Sequence, residues 1–165
     1  MLIRDEDPAD VPAISDVVEH AFGQPSEARL VERLRADGDA AISLVAVVDG
    51  AVAGHVLLSP MSAPFRALGL APVSVSPAYQ RTGIGRALID AAIDRARVEE
   101  WDAIFVLGDP AYYGRFGFRA DLATGFASPY AGPYLMVLPL AAALPVAEGV
   151  IDYAPAFSAM EQDGH

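Results

Sequence analysis

The sequence predicts a mixed α/β fold, laid out as one domain over residues 1–165, and three observations carry that expectation. Apolar residues recur at helical spacing in two stretches near the N-terminus. Two apolar runs then flank Asp49-Gly50, a favoured two-residue hairpin turn. Beyond residue 70, strand-like and helix-like patterns alternate. A chain of 165 residues, 53% of them apolar, is long enough to bury a hydrophobic core of its own.

Residues 2–4 read as a short first strand. Asp10 stands where a helix cap is wanted, ahead of Val11, Ile14, Val17, Val18, Ala21 and Phe22 at helical spacing, and Gly23 and Pro25 stop that helix. Ser26 opens a second helix with Leu30, Val31 and Leu34 on one face, ending at Asp37-Gly38. Residues 42–48 and 51–59 are the arms of the hairpin, and 70–75 form a further strand. A helix starts near Gly83 with Ile84, Ala87, Leu88, Ala91 and Ala92 inward. Residues 103–107, AIFVL, are short and apolar between turn signals, as a buried strand is. Residues 112–116 suit a short helix, and 134–138 a last strand. Residues 141–165 have weak periodicity and receive no assignment. The expected order is β-α-α-β-β-β-α-β-α-β.

Composition excludes several functions. The net charge is −11 and the chain has no lysine, which argues against a nucleic-acid backbone binder. No apolar run is long enough to span a bilayer, so no membrane role is expected. The N-terminus reads MLIRDED, with acid where a signal peptide carries positive charge, and a cytoplasmic protein is expected. Cysteine is absent, which removes disulfides, thiolate metal sites and a cysteine nucleophile. His20, His55 and His165 lack ligand spacing, so no metal site is expected. No G-x-S-x-G elbow is present to support a serine hydrolase.

The informative stretch is RTGIGR, residues 81–86, at the start of a helix. A helix N-terminus leaves its first N–H groups unpaired and carries partial positive charge. Glycines there let an anion reach those groups, and Arg81 and Arg86 add charge on either side. Neither a P-loop nor a dinucleotide fingerprint fits. Gly85 is followed by Arg86-Ala87 in place of a Lys-Ser/Thr pair, and the third dinucleotide position falls on Leu88. Two glycines alone would also serve a tight turn.

A second motif decides between these readings. VSPAYQRTGIGRALI resembles motif A of the GNAT superfamily (Gcn5-related N-acetyltransferases), whose core Q/R-x-x-G-x-G/A is filled by Gln80, Gly83 and Gly85. AYYGRFGF, residues 111–118, resembles the superfamily's later Tyr-x-x-x-Gly-Phe element through Tyr113, Gly117 and Phe118. Within the superfamily, GDPAYYGRFGF looks most like the YhbS-like acetyltransferases. The resemblance implies a mostly antiparallel central sheet, flanked by helices and splayed where acetyl-CoA lies. It implies that the pantetheine arm runs beside Val73, Ser74 and Val75, and that the pyrophosphate rests on the backbone of Arg81, Thr82, Gly83, Ile84, Gly85 and Arg86.

The same resemblance implies a chemistry. The Val75 N–H polarises the thioester carbonyl, and Tyr113, which also contacts the cofactor, protonates the departing sulfur; Tyr112 lies off the motif's register. The sequence departs from the superfamily at Asp109-Pro110, where some members carry Asn, and residues 68–75 hold no carboxylate. Glu19, His20, Glu27 and His55 are therefore the candidate bases, beside a water chain with no single base. The acceptor is an amine of a small molecule or peptide. The first two helices, residues 60–66 and residues 123–133 would shape its site, with Phe126 and Tyr130 as walls. A non-catalytic acyl-CoA-binding module is the alternative function, and a homodimer is left open.

Overall fold

The computed structural model describes residues 1–163, so His165 lies outside the described residues. Strands are β1 (Leu2–Asp5), β2 (Ile42–Val48), β3 (Ala51–Pro60), β4 (Ala67–Val75), β5 (Ala103–Leu107), β6 (Phe126–Ala127), β7 (Leu135–Pro139) and β8 (Gly149–Val150). Helices are α1 (Val11–Phe22), α2 (Ser26–Ala36), α3 (Ile84–Val98), α4 (Pro110–Tyr113) and α5 (Pro155–Asp163). Six strands form one sheet in the order β1-β2-β3-β4-β5-β7, while β6 and β8 pair separately. Within the large sheet only β4 and β5 run parallel.

Each face of the sheet is covered by helices that the sequence pattern requires. Ile84, Leu88, Ile89 and Ile93 of α3 pack on Leu44, Val56, Leu68 and Ile104. On the other face, Ile14 and Val18 of α1, and Leu30, Val31 and Leu34 of α2, pack on Val45 and Leu57. A third cluster under β5 and β7 joins Phe105, Phe126 and Ile151. Burying aliphatic side chains of this size stabilises by about 1.5–3 kcal/mol each, so these clusters fix the layer order.

Three differences from the sequence reading have local causes. β4 begins at Ala67, ahead of residue 70, because its first three residues pair with β5. Asp10 makes no side-chain cap on α1. Its carboxylate instead accepts the Asp7 N–H at 2.7 Å and pairs with Arg4 at 2.7 Å, closing the turn before the helix. Residues 155–163 form α5, which the weak pattern did not disclose; Ala156 and Phe157 bury it against α1 and α2.

A buried polar group ties β1, α2, β2 and β3 together. Arg35 Nε donates to Glu6 at 2.9 Å, Ser43 Oγ donates to the same carboxylate, and His55 Nε2 lies 2.8 Å from Ser43 Oγ. Burial pushes the Glu6 carboxyl up, but His55, Arg35 and Ser43 outweigh it and hold the pKa at about 2. Burial pushes the His55 imidazole below its ordinary 6.5, more than Glu6 can restore.

Both groups make acid destabilising. Below 6.5 the unfolded chain takes up a proton at His55 that the folded chain refuses, so stability falls from there downward. Glu6 contributes fully above its ordinary 4.5, and that contribution disappears as pH drops through 4.5 toward about 2. Thermal melts from pH 8 to pH 3 are expected to show Tm declining in two stages. Glu6→Gln should shrink the lower stage, and it should extend the upper stage to lower pH because His55 loses the carboxylate that favours its protonated form. A Tm independent of pH below 6.5 would contradict the His55 assignment.

Candidate active site and cofactor cleft

The site begins where two strands part. β4 and β5 pair through Ala67–Ala103, Leu68–Ile104 and Gly69–Phe105, and no pairing continues beyond them. Past that point β4 bonds only to β3. Its register shifts at Ala71-Pro72, where two β4 residues oppose Leu57, so the proline sits at a bulge. The Ser76 N–H donates to Ala53 O at 2.8 Å, which sets the alternation of an antiparallel ladder. Ser74 therefore bonds across to His55, while Val73 and Val75 turn their N–H and C=O groups away from β3, into the fork. Of the three residues expected to pair with the cofactor arm, Ser74 has its main chain engaged by β3. Its buried hydroxyl faces the interior with no partner among the described residues.

The glycine motif lies at the mouth of this fork. A cleft of about 360 Å³ is lined by Val75, Arg81, Gly83, Gly85, Arg86, Tyr112 and Arg115. Gly83 precedes α3 at a φ of 86°, a left-handed conformation that glycine adopts without strain. Gly85 is helical, and a Cβ there would point toward Tyr112 Oη at 3.5 Å and Val75 Cγ2 at 3.6 Å. Ile84 is buried in the core, so only its main chain serves the cleft. The Thr82 hydroxyl donates to the Tyr79 carbonyl and holds the loop, and Gln80 donates to the Val75 carbonyl at 3.2 Å. Among the described residues Arg81, Arg86 and Arg115 make no ion pair, although the chain carries 22 acidic side chains. Three unneutralised guanidinium groups beside orphan helix N–H groups suit a polyanion. Arg115 was not legible in sequence because its pairing with the cleft depends on the α4 turn.

The adjacent tyrosines of α4 face different ways. Tyr112 lines the cleft, with Arg115 5.6 Å above its ring. Tyr113 packs edge-on against Phe118, with ring centroids 5.8 Å apart, and its ring covers Gly108 so closely that a Cβ there would meet it at 2.5 Å. Burial, with a smaller contribution from Tyr112, pushes the Tyr113 phenol up to about 12. It stays protonated at neutral pH.

On the opposite side of the fork lies an apolar pocket of about 240 Å³. Leu70 and Ala71 of β4, Leu107 at the end of β5, Tyr130, Tyr153 and Phe157 line it, with Met160 at its rim. Tyr130 thus lines this pocket. Phe126 does not; it is 1% exposed and packs edge-to-face on Phe65 and Phe105 at 5.7 and 5.5 Å. Among the described residues, helices α1 and α2 and residues 60–66 do not line this pocket, whereas α5, which the sequence left unassigned, does.

The four candidate bases do not converge on either cavity. His20 Nδ1 is 2.6 Å from the Asp16 carbonyl on exposed α1, and Glu27 accepts from Gln24 at 2.8 Å. Glu19 is exposed on α1, and His55 is sealed under the sheet. Among the described residues no three His, Asp or Glu side chains gather as a metal would require, and no helix is long and apolar enough to cross a membrane.

This geometry has known counterparts. The sequence model described as the acetyltransferase (GNAT) family matches residues 11–118. The chain is 40% identical over 123 residues to the uncharacterized N-acetyltransferase YhbS of Escherichia coli K12, across 72% of this chain and 74% of YhbS. The crystal structure of Escherichia coli YhbS in complex with CoA matches with a TM-score of 0.89, over 95% of this chain and 91% of that one, at 34% identity. A GNAT family acetyltransferase from Brucella melitensis in complex with acetyl-CoA matches with a TM-score of 0.80, over 94% of this chain and 97% of that one, at 34% identity.

Proposed function

The chain belongs to the acetyltransferase (GNAT) family, and on that premise we propose that it transfers an acetyl group directly from acetyl-CoA to an amine of a small molecule or peptide. The observation that carries this reading is the fork itself. Outward-facing N–H groups of Val73 and Val75 lie next to a cleft with three unpaired arginines. Two similar structures hold CoA or acetyl-CoA, which supports the same ligand here. The reading takes residues 1–165 as one catalytic unit acting in the cytoplasm, and no metal enters the scheme.

Acetyl-CoA, when bound, supplies an activated thioester. The α3 N-terminus, from Gly83 to Arg86, would hold the pyrophosphate, with Arg81, Arg86 and Arg115 screening its charge. The Val75 N–H and the Val73 C=O would pair with the pantetheine amides as an added strand does. Val75 lies in the pyrophosphate cleft with its carbonyl held by Gln80, so the Val73 N–H, nearer the last β4–β5 pair, would donate to the thioester oxygen as negative charge develops there. The acceptor nitrogen bonds to the carbonyl carbon, the carbon–sulfur bond breaks, and Tyr113 gives its phenolic proton to the sulfur. The proton lost by the amine returns to the phenolate through solvent. No cysteine exists to hold an acyl group, which fits direct transfer.

Gly85→Ala tests the cradle without backbone strain, because Gly85 is helical and its Cβ would meet only ordinary contacts. Alanine in a helix is favoured over glycine by roughly 0.5–1 kcal/mol, so Tm should hold or rise. CoA affinity should nevertheless fall by about tenfold or more, since the methyl enters the cleft. Calorimetry showing unchanged CoA affinity in the folded variant would remove the cradle.

Tyr113→Phe keeps the ring over Gly108 and deletes one proton. Single-turnover rates are expected to drop by ~10²-fold, with acetyl-CoA affinity unchanged, while Tyr112→Phe has a milder effect. Because the Tyr113 pKa is held at about 12, the wild-type rate should rise with pH until the acceptor amine is neutral, with no loss before pH approaches 12. No single substitution among Glu19, His20, Glu27 and His55 should lower kcat a hundredfold. CoA binding without thiol release on every amine tried would favour a non-catalytic acyl-CoA module.

A further inference from the structure

The pocket opposite the cofactor cleft carries information about the acceptor. It opens between Leu70 and Ala71 on β4 and Leu107 on β5, one step past the last β4–β5 pair at Gly69–Phe105. Among the described residues none of its lining side chains is charged. Its volume of about 240 Å³ is below the roughly 300–1,000 Å³ of drug-sized sites, so it holds one aryl or short alkyl group and excludes a folded peptide. The groove that shares Met160 with it is lined by Arg33, which pairs with Asp37 at 3.8 Å, and by Arg29, whose positive charge disfavours a second ammonium group there.

One polar atom in this wall has an unmet requirement. The Tyr153 ring lies against β4 at Gly69, where a Cβ would stand 2.6 Å from its Cε1 atom, and Tyr130 meets it edge-on at 5.5 Å. Its hydroxyl is buried and has no hydrogen-bond partner among the described residues. A buried hydroxyl left unpaired is destabilising, and an occupant of this pocket would supply the missing partner.

We propose that this pocket is the acceptor site and selects primary monoamines carried on an apolar, aryl-sized body, with Tyr153 Oη accepting a hydrogen bond from the amine N–H. That bond leaves the nitrogen lone pair free for the thioester at the fork. The uncharged wall also disfavours the ammonium form, lowering the pKa of the bound amine and supplying a neutral nucleophile. A dedicated carboxylate or histidine is then unnecessary, in keeping with the dispersal of Glu19, His20, Glu27 and His55. The inference rests on the acetyl-transfer reading for its chemistry, but binding tests it separately.

The experiment uses the full chain loaded with CoA, titrated with 2-phenylethylamine, spermidine and ethanolamine, beside acetyl-transfer rates with acetyl-CoA. 2-Phenylethylamine should bind, and its kcat/KM should exceed those of the other two by about thirtyfold. Tyr153→Phe should weaken its binding about tenfold, with CoA affinity unchanged and the apo Tm equal or higher, because an unpaired hydroxyl has gone. Leu107→Glu, at a wall position 45% exposed, should shift preference toward spermidine by retaining a protonated amine. Preference of the wild type for spermidine or ethanolamine overturns the assignment, as does unchanged 2-phenylethylamine binding in Tyr153→Phe. If 2-phenylethylamine binds in a Tyr153-dependent way but no amine is acetylated, the pocket assignment stands and the acetyl-transfer reading falls.

Discussion

Three residue pairs hold β4 to β5, and the rest of the molecule is organised around their ending at Gly69–Phe105. A sheet that stayed closed would satisfy every main-chain group of β4 and leave nothing for a ligand. Here the ladder to β3 continues to Val75 while the ladder to β5 stops, so one edge of a central strand is exposed in the middle of the sheet. Exposed edges invite pairing with another chain. This one is shielded by α4 and the α3 loop on one side and by α5 on the other, which leaves room for a small extended ligand. The bulge at Ala71-Pro72 contributes by re-aiming β4 just past the last shared pair.

Electrostatics follow from the same opening. At a net charge of −11, most arginines of this chain are expected to find acids, and Arg4, Arg35, Arg95 and Arg119 do so at 2.6–2.9 Å. Among the described residues Arg29, Arg66, Arg81, Arg86 and Arg115 make no ion pair, and the last three line one cleft. Their separation in sequence hides the cluster, which the α4 turn assembles. The apolar pocket on the far side has the opposite character, with no charged side chain in its wall among the described residues. The fork therefore joins a site for an anion to a site for an apolar group.

The parts of this design that depend on local chemistry were legible in the sequence. The Asp49-Gly50 turn, the apolar faces of α1, α2 and α3, and the Gly83-x-Gly85 helix start each follow from one short stretch. The parts that depend on distant packing were not. α5 is built of small residues around Phe157, so its pattern is weak until α1 and α2 supply the partner face. Phe126 reads as a loop aromatic, yet the ring triad with Phe65 and Phe105 draws it into the core. Asp10 has the residue type of a cap, but Arg4 lies close enough to claim its carboxylate. Ser74 belongs to the strand that borders the fork, and only the parity of the β3–β4 ladder shows that its main chain is occupied.

Parity also bears on how one strand can serve two ligands. Along β4, alternate residues send their main chain to β3 or to the fork, while side chains alternate between the α3 face and the α1–α2 face. Val73 and Val75 offer their N–H groups to the fork and their side chains to the α3 cluster. Ala71 and Tyr153, across the bulge, belong to the cluster on the other face. Without the extra residue at the bulge, one alternation would run the length of β4, and residue 71 would share the face of Val73 and Val75. The bulge breaks that phase between Leu70 and Val73. It lets a single strand present main-chain donors toward the anion cleft and apolar surface toward the opposite pocket. A nucleophile held in that pocket then approaches the fork from the side away from the phosphate cradle, the geometry that direct transfer between two simultaneously bound ligands demands.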